Sequence, residues 1–374
     1  MTNLPTAQAK RLAVFCSPAR YVQGANATAE LGDVLTGMGL TGRVLIVASA
    51  RIAAQLGPAW AATLGRATIP YSVYQFGGEC TQAEIAAGAA AARAAGAATV
   101  LGAGGGKALD TSRAIAAACD LHAVNCPTLA SSDAPCSALS VVYHADGSFD
   151  RYLFYRRNPD LVLVDTAIVA AAPARYLVGG MGDALATWFE ARTVSEAGQP
   201  NQLQGTPTRA AGALARLCYD TLLADGTAAL EAVNANTVTP ALERLVEANT
   251  LLSGLGFESG GLAIAHSVHN GLTMAPGTHA FLHGEKVAFG LLVQLVVEGR
   301  PQSEFAEVTR FCRSVGLPTR LADIGLTGLD DDLLRQIAER TVAPGETAHH
   351  EPFVVTSAMI ADGIRGADSL AGSL

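Results

Sequence analysis

The chain has 374 residues, of which half are hydrophobic and 16% are charged, and its formal net charge is −8 at pH 7. This length usually holds two domains with a large buried core, and the composition is typical of a compact globule and excludes a disordered chain. The acidic balance, without any cluster of Lys and Arg, argues against nucleic acid as a partner.

The cysteines and the N-terminal residues indicate a reducing compartment. Seven cysteines, an odd number without a CxxC pair, disfavour a disulfide framework. The N-terminus, MTNLPTAQAKRLAVF, has too short an apolar run for a signal peptide. The uncharged stretch over 259–284 is interrupted by His, Asn, Pro and Gly, so it does not predict a membrane helix. We therefore expect a cytoplasmic protein without a membrane partner.

Residues 1–165 alternate short apolar runs with Ala-rich helical segments, which is typical of βαβ units around a parallel sheet. The predicted strands are Val44–Ala48, Thr99–Gly102, Ala123–Pro127 and Leu161–Val164. The predicted helices are Thr81–Ala95 and Lys107–Ala118. Between the last two strands, the turn Ala145-Asp146-Gly147 separates two segments that are predicted to pair as a hairpin, Leu139–His144 and Arg151–Tyr155.

After Asp165 the helical periodicity continues nearly to the C-terminus, with breaks at Gly198–Pro207, Pro240, Ala275–Gly277 and Pro318. The sequence therefore predicts two domains, an α/β domain over residues 1–170 and an all-α domain over residues 171–374. A cleft between two such domains is a common place for a ligand site.

A glycine cluster separates a predicted strand from a predicted helix in the segment TVLGAGGGKALDTSR at 99–113. Gly102, Gly104, Gly105 and Gly106 allow the backbone to approach a ligand closely. The helix that follows would direct its free N–H groups at the loop, which suits a pyrophosphate. Because the spacing is neither GxGxxG nor a Walker A sequence, a tight turn without a ligand stays an open alternative.

Four of the eight histidines fall within eighteen residues, namely His266, His269, His279 and His283. His266 and His269 lie three apart and share a helix face, and His283 opens a further helical run. Two imidazoles and one carboxylate suit a catalytic Zn²⁺ with an open position, and the candidate carboxylate is Asp183, at the start of an earlier predicted helix. Hydrogen-bonded core histidines and a helix N-cap at Asp183 are equally compatible with the spacing.

Nine segments along nearly the whole chain carry a family resemblance. They are SPARYVQGANA at 17–27, FGGECTQAEI at 76–85, GAGGGKALDT at 102–111, PTLASSDAPCSALSVVY at 127–143, RNPDLVLVDT at 157–166, MGDALATWFEA at 181–191, GFESGGLAIAHSVHNGLT at 256–273, HGEKVAFG at 283–290 and GETAHHEPF at 345–353. With them the chain resembles the glycerol dehydrogenases, a branch of the iron-containing alcohol dehydrogenase and dehydroquinate synthase-like superfamily. The resemblance implies a dehydroquinate synthase-like fold, with an N-terminal Rossmann-like α/β domain and an all-α C-terminal domain.

The resemblance also implies a function and a set of site residues. The implied reaction is hydride transfer from a small vicinal polyol to NAD, with glycerol converted to dihydroxyacetone, and the implied assembly is a homo-oligomer. The family's Zn²⁺ ligands match Asp183, His266 and His283. Its cofactor contacts match Gly104, Gly105, Gly106, Lys107, Thr128, Ser137, Leu139 and Tyr143. Asp133 matches a substrate-facing aspartate, and Phe257 matches a residue near the polyol.

Two positions depart from patterns known in this superfamily. Other branches carry a His four residues after the aspartate ligand, where this chain has Thr187. The absence of this histidine favours zinc over iron. Typical NAD-dependent members carry an acidic residue after the second strand, where this chain reads VLIVASARIAAQLG at 44–57. Without that carboxylate Arg51 could pair with the 2′-phosphate of NADP, so NADP is an alternative to NAD. The competing interpretation is that Arg51 is only a solvent-exposed helix residue.

The mechanism predicted from these residues gives catalytic roles to Asp133 and His269. Zn²⁺ would act as a Lewis acid on two adjacent hydroxyls. Asp133 would hold a substrate hydroxyl, unless it only forms a turn, and His269 would relay a proton or orient a metal ligand. The nearest alternative is an NADP-linked reductase or dehydrogenase of other diols or of 2-oxo and 2-hydroxy acids on the same fold. A lyase of the dehydroquinate synthase type and a non-catalytic dinucleotide-binding regulator fit less well.

Overall fold

The computed structural model describes residues 12–374, so the expectation of no signal peptide concerns residues that lie mostly outside it. Six strands form one parallel sheet, namely β1 (Tyr21–Gly24), β2 (Val44–Ala48), β3 (Tyr71–Gln75), β4 (Thr99–Gly104), β5 (His122–Pro127) and β8 (Leu161–Asp165), in the order β1-β8-β5-β4-β2-β3. The strands β6 (Leu139–Tyr143) and β7 (Phe149–Phe154) pair as an antiparallel hairpin. The predicted strands and the predicted hairpin are therefore confirmed.

The strands in the middle of the sheet are apolar throughout because both of their faces are covered. β2 (VLIVA) and β8 (LVLVD) are buried at every residue, as in parallel sheets that carry helices on both sides. β1 and β3 were not predicted from the sequence. They lie at the two edges of the sheet and are only half-buried, so their residues carry a weaker apolar signal.

Four helices belong to the sheet part of the chain, namely α1 (Leu31–Gly37), α2 (Ala50–Arg66), α3 (Gln82–Ala95) and α4 (Gly106–Cys119). α2 and α3 begin at side-chain caps, because Ser49 accepts a hydrogen bond from the Ile52 N–H and Thr81 accepts one from the Glu84 N–H. α3 and α4 correspond closely to the two helices predicted from the sequence.

From residue 166 onward the regular elements of the chain are helical. They are α5 (Thr166–Ala170), α6 (Ala174–Glu196), α7 (Arg209–Asn234), α8 (Pro240–Glu247), α9 (Ser253–Gly260), α10 (Ile264–Leu272), α11 (His283–Val297), α12 (Gln302–Val315), α13 (Asp331–Thr341) and α14 (Ser357–Ser373), and a π-helical stretch over Ala248–Leu252 joins α8 to α9. The fold class predicted from the sequence is thus confirmed, while the boundary near residue 170 stays a prediction.

The largest cluster of buried apolar residues lies in the helical part and centres on α6 and α11. Both helices are buried along most of their length, and Phe189 and Phe289 are among the largest fully buried side chains. Within residues 12–374 no helix combines the length and the apolar character needed to cross a membrane. All seven cysteines are free thiols, as their number and spacing suggested.

Candidate active site

Helices α6 and α11 approach each other so closely that only glycine fits where they touch. A Cβ atom on Gly284 would lie 1.8 Å from the carbonyl oxygen of Gly179, and a Cβ atom on Gly182 would lie 2.3 Å from the carbonyl oxygen of Gly284. Gly182 and Gly284 are chain neighbours of Asp183 and His283. The close contact therefore brings the carboxylate of one helix beside the imidazole of the other.

A third helix, α10, joins this contact through another glycine. A Cβ atom on Gly290 of α11 would lie 2.3 Å from the carbonyl oxygen of Ala265, the residue before His266. The three helices bring together Asp183, His266 and His283, with one possible ligand atom from each within 4.8 Å of the others. Asp183 lies in the interior of α6, so its expected place at a helix start is wrong.

The donor set and its environment fit a divalent cation. Asp183 Oδ1 is buried and accepts no hydrogen bond from the described residues, although His283 Nε2 lies 3.1 Å and His266 Nε2 lies 3.3 Å from it. An unsatisfied buried carboxylate oxygen is costly, and a cation between these three atoms would satisfy it. Burial opposes ionisation, yet the imidazoles of His283 and His266 lower the pKa of Asp183 below its usual range.

The candidate metal site is open on one side. The His283 side chain is 41% exposed, whereas that of His266 is 13% exposed and that of Asp183 is fully buried. A catalytic site needs such an opening, because a substrate oxygen must reach the cation while the protein holds it from the other side. The arrangement therefore differs from a closed structural site.

A residue that sequence reasoning missed, Glu190, supports His266 from behind. Glu190 Oε2 lies 2.6 Å from His266 Nδ1, and its Oε1 accepts hydrogen bonds from the backbone N–H groups of Ala263 and His266. Burial alone would lower the pKa of His266, but Glu190 and Asp183 raise it well above its usual value. Glu190 follows Asp183 by seven residues, which is two helical turns, so their shared face of α6 was a readable signal.

His269 stands behind the other imidazole. His269 Nε2 lies 3.0 Å from His283 Nδ1, and His269 Nδ1 lies 3.1 Å from Asn270 Oδ1. The Asn270 side chain in turn donates to Glu346. Burial, followed by the charge of His283, lowers the pKa of His269 well below its usual value, so this imidazole is neutral. A neutral ring in this position holds the orientation of His283.

Asp133 lies directly against the candidate metal site. Its backbone N–H donates to Asp183 Oδ2 over 3.2 Å, and its own Oδ2 accepts a hydrogen bond from Ser253 Oγ over 2.9 Å. Burial and the adjacent charge of Asp183 raise the pKa of Asp133 well above its usual value. The hydroxyl of Thr187 lies 2.8 Å from Ser253 Oγ. Phe257 is buried one turn further along α9.

The glycine loop follows β4 at the carboxyl edge of the sheet. Gly104 has φ +157°, and a Cβ atom there would lie 2.8 Å from the Cβ of Ala108. Gly105 is the N-cap of α4 and offers no side-chain cap. The first turn of α4 therefore faces the loop with bare backbone, which leaves room for the pyrophosphate of a dinucleotide.

Several predicted cofactor contacts cluster around this loop. Thr128 is buried after β5, and its backbone N–H donates to the carbonyl of Gly104 over 3.0 Å. Lys107 lies in the first turn of α4, forms an ion pair with Glu79 and has its ammonium 5.3 Å from the ring centre of Tyr143. Burial raises the pKa of Tyr143. The loop after β4, the end of β5 and the hairpin thus face one region.

The remaining two predicted contacts differ in accessibility. Leu139 begins β6 and is half-buried. Ser137 is completely buried, and its hydroxyl donates to the carbonyl of Ala134 over 3.1 Å. Ser137 therefore offers a ligand no exposed surface in this structure, and its role as a cofactor contact stays a prediction.

Comparisons with known proteins agree with this architecture. A family model described as iron-containing alcohol dehydrogenase matches residues 18–166. A glycerol dehydrogenase of Pseudomonas putida is 49% identical over 95% of this chain and 96% of its own length. A glycolaldehyde reductase of Halobacterium salinarum is 47% identical over 96% of this chain and 97% of its own length. The crystal structure of a probable glycerol dehydrogenase from Sinorhizobium meliloti has a TM-score of 0.91 at 41% identity, covering 96% of this chain and 99% of that chain.

Proposed function

Since the chain belongs to the iron-containing alcohol dehydrogenase family and is an oxidoreductase, we propose that it oxidises glycerol to dihydroxyacetone with a nicotinamide dinucleotide as hydride acceptor. The observation that carries the proposal is the buried Asp183 Oδ1, which accepts no hydrogen bond from residues 12–374 and faces two imidazole nitrogens in an open site. The similarity to glycerol dehydrogenases over nearly the full length supports the substrate.

We propose Zn²⁺ as the metal, held by Asp183, His266 and His283. Residues 12–374 offer two nitrogen donors and one oxygen donor without a fourth ligand, which suits catalytic zinc, and the Thr187 hydroxyl is engaged with Ser253. When bound, the ion supplies Lewis acidity to a substrate oxygen, which is worth several kcal/mol in such reactions. The protein's contribution is to hold these three ligands in position through their hydrogen bonds to Asp133, Glu190 and His269.

The substrate and the proton are handled by residues beside the metal ligands. Ser253 donates a hydrogen bond to Oδ2 of Asp133, which leaves Oδ1 to form a hydrogen bond with a substrate hydroxyl. Phe257 would pack against the carbon chain. His269 is neutral and hydrogen-bonded to His283, so it can orient that ligand and pass on the proton that alcohol oxidation releases. The nicotinamide would lie between the glycine loop and this group.

A second candidate reaction is the reduction of a small α-hydroxy aldehyde. The Halobacterium relative, a glycolaldehyde reductase, is nearly as similar to this chain as the glycerol dehydrogenases are. Glycolaldehyde also presents two adjacent oxygens, so the same donor arrangement would accept it. Values of kcat/KM for glycerol, other diols, glycolaldehyde and 2-oxo acids, each with NAD(H) and NADP(H), would rank the two candidates.

The test of the proposal compares two histidine variants. His283→Ala removes a proposed ligand, whereas His279→Ala changes a nearby exposed histidine whose ring is hydrogen-bonded to the backbone carbonyl of Thr273. We expect His283→Ala to lose zinc, measured by elemental analysis, and glycerol oxidation together, with an unchanged circular dichroism spectrum. His279→Ala should keep both. Zinc content and activity retained in His283→Ala would refute the site.

The assembly state is a separate part of the proposal. We propose a homo-oligomer, as the family resemblance implies. Light scattering coupled to gel filtration measures the mass in solution, and a mass of 38.3 kDa, that of one chain, would refute it.

A further inference from the structure

The adenosine end of the proposed dinucleotide site is set by the strand beside the glycine loop. β2 and β4 are parallel neighbours, with Ala48 paired to Ala103. Ser49 and the glycine loop therefore lie at the same edge of the sheet, one strand spacing of about 4.8 Å apart. β4 also pairs with β5, but the strand order changes direction between β2 and β4, which is where dinucleotides bind in such folds. There a carboxylate at the end of the strand beside the glycine loop selects NAD by accepting hydrogen bonds from the ribose 2′-hydroxyl.

This chain has no carboxylate at that position. Ser49 follows β2, its hydroxyl caps α2, and the first turn of α2 contains no acidic residue. The nearest acidic side chains after β3 are already engaged. Glu79 forms an ion pair with Lys107, and Glu84 accepts a hydrogen bond from the Gly77 N–H over 2.8 Å. Lys107 therefore compensates the charge of Glu79, and the Gly77 N–H holds Glu84 in place, so neither carboxylate is free to accept hydrogen bonds from the ribose.

An unpaired arginine stands in the first turn of α2. Arg51 is exposed and forms no ion pair with the part of the chain that the structure describes, whereas Arg66 at the other end of the same helix pairs with Asp33. The positive end of the α2 dipole adds to the charge of Arg51. A guanidinium binds phosphate through two parallel hydrogen bonds, which a ribose hydroxyl does not offer.

We propose that this chain binds NADP in preference to NAD, with Arg51 pairing with the 2′-phosphate and Ser49 occupying the position of the NAD-selecting carboxylate. The inference rests on the proposed function, because it presupposes that a dinucleotide binds at the glycine loop. It adds the identity of the cofactor and the residue that selects it.

The test is an equilibrium titration of the zinc-loaded protein with NADPH and with NADH, followed by the fluorescence of the reduced nicotinamide without substrate. We expect NADPH to bind at least about tenfold more tightly than NADH. Arg51→Ala should weaken NADPH binding by about 10- to 100-fold, the range expected for hydrogen bonds to a charged group, and should leave NADH binding unchanged. Ser49→Asp, which keeps a capping side chain, should reverse the preference.

Arg43→Ala is the matched control. Arg43 is also exposed and lies next to β2, but at the amino end of the strand, away from the glycine loop. Its loss should leave both affinities unchanged. Tighter binding of NADH than NADPH, or an equal loss of both in Arg51→Ala, would overturn the inference and leave the proposed function standing. Binding of neither dinucleotide would refute the cofactor of the proposed function itself.

Discussion

Glu351 is a buried carboxyl group whose ionisation the fold opposes. It is 3% exposed, and neither of its carboxyl oxygens has a hydrogen-bond partner among the described residues. Burial, followed by the charges of Glu298 and Glu190, raises the pKa of Glu351 from 4.5 to about 9. Replacing it by glutamine keeps the shape of the side chain and removes the titration.

The sign of the pH dependence of stability follows from the pKa of Glu351 in the folded state and in the unfolded state. Below pH 4.5 the folded and unfolded states both hold the proton, and Glu351 has no pH-dependent effect on stability. Between pH 4.5 and about 9 only the folded state holds it, so the free energy of unfolding falls by about 1.4 kcal/mol per pH unit. From pH 5 to pH 7 Glu351→Gln should therefore gain about 3 kcal/mol relative to the wild type.

Urea unfolding of the zinc-loaded proteins at pH 5, 6, 7 and 8 measures the difference in the free energy of unfolding between Glu351→Gln and the wild type. Midpoints and slopes are analysed together. Glu231→Gln, at an exposed position of α7, is the control and should give a difference that is flat with pH. A flat difference for Glu351→Gln as well would mean that the native protein holds an ionised Glu351, and the burial argument would be wrong.

Two further variants test how the metal ligands are positioned. Gly284→Ala would place a Cβ atom 1.8 Å from the Gly179 carbonyl oxygen, so α11 must move away from α6, and we expect zinc affinity, measured by chelator competition, to fall by tenfold or more. Gly212→Ala, where the added Cβ has nothing within 4 Å, should leave zinc affinity unchanged. Glu190→Gln should weaken zinc binding by about 10- to 100-fold, because the amide supports His266 less well than a carboxylate does, and an unchanged affinity would contradict this role.

The strands that were predictable from the sequence are those that the fold buries most. β2, β4 and β8 are buried at every residue, so their apolar runs stand out against the polar connections. β1 and β3 lie at the sheet edges, where no residue is fully buried and polar side chains are tolerated. Their place in the sheet depends on pairing with a neighbour, which the local sequence does not encode.

The site was predictable in its residue types and less so in its geometry. The histidine cluster and the family resemblance pointed to Asp183, His266 and His283, which the structure brings together. The sequence interpretation placed Asp183 at a helix start, directly after the glycines of the segment GGMGDALATWFEAR. In the structure those glycines lie inside α6, where Gly182 allows α11 to approach. A glycine that ends a helix and a glycine that packs two helices look alike in sequence.

Buried charge gives a stronger argument than periodicity for helices such as α6. This helix is buried on nearly all sides, so no polar face indicates which residues meet a ligand. Two of its fully buried residues, Asp183 and Glu190, are nevertheless acidic, and both face histidines rather than Lys or Arg. Without a metal ion the imidazoles carry the compensating positive charge as protons, which is why Glu190 and Asp183 raise the pKa of His266. A cation beside Asp183 would supply that charge and leave the imidazoles neutral, so two acids seven residues apart in an apolar helix, both facing histidines, favour a metal site.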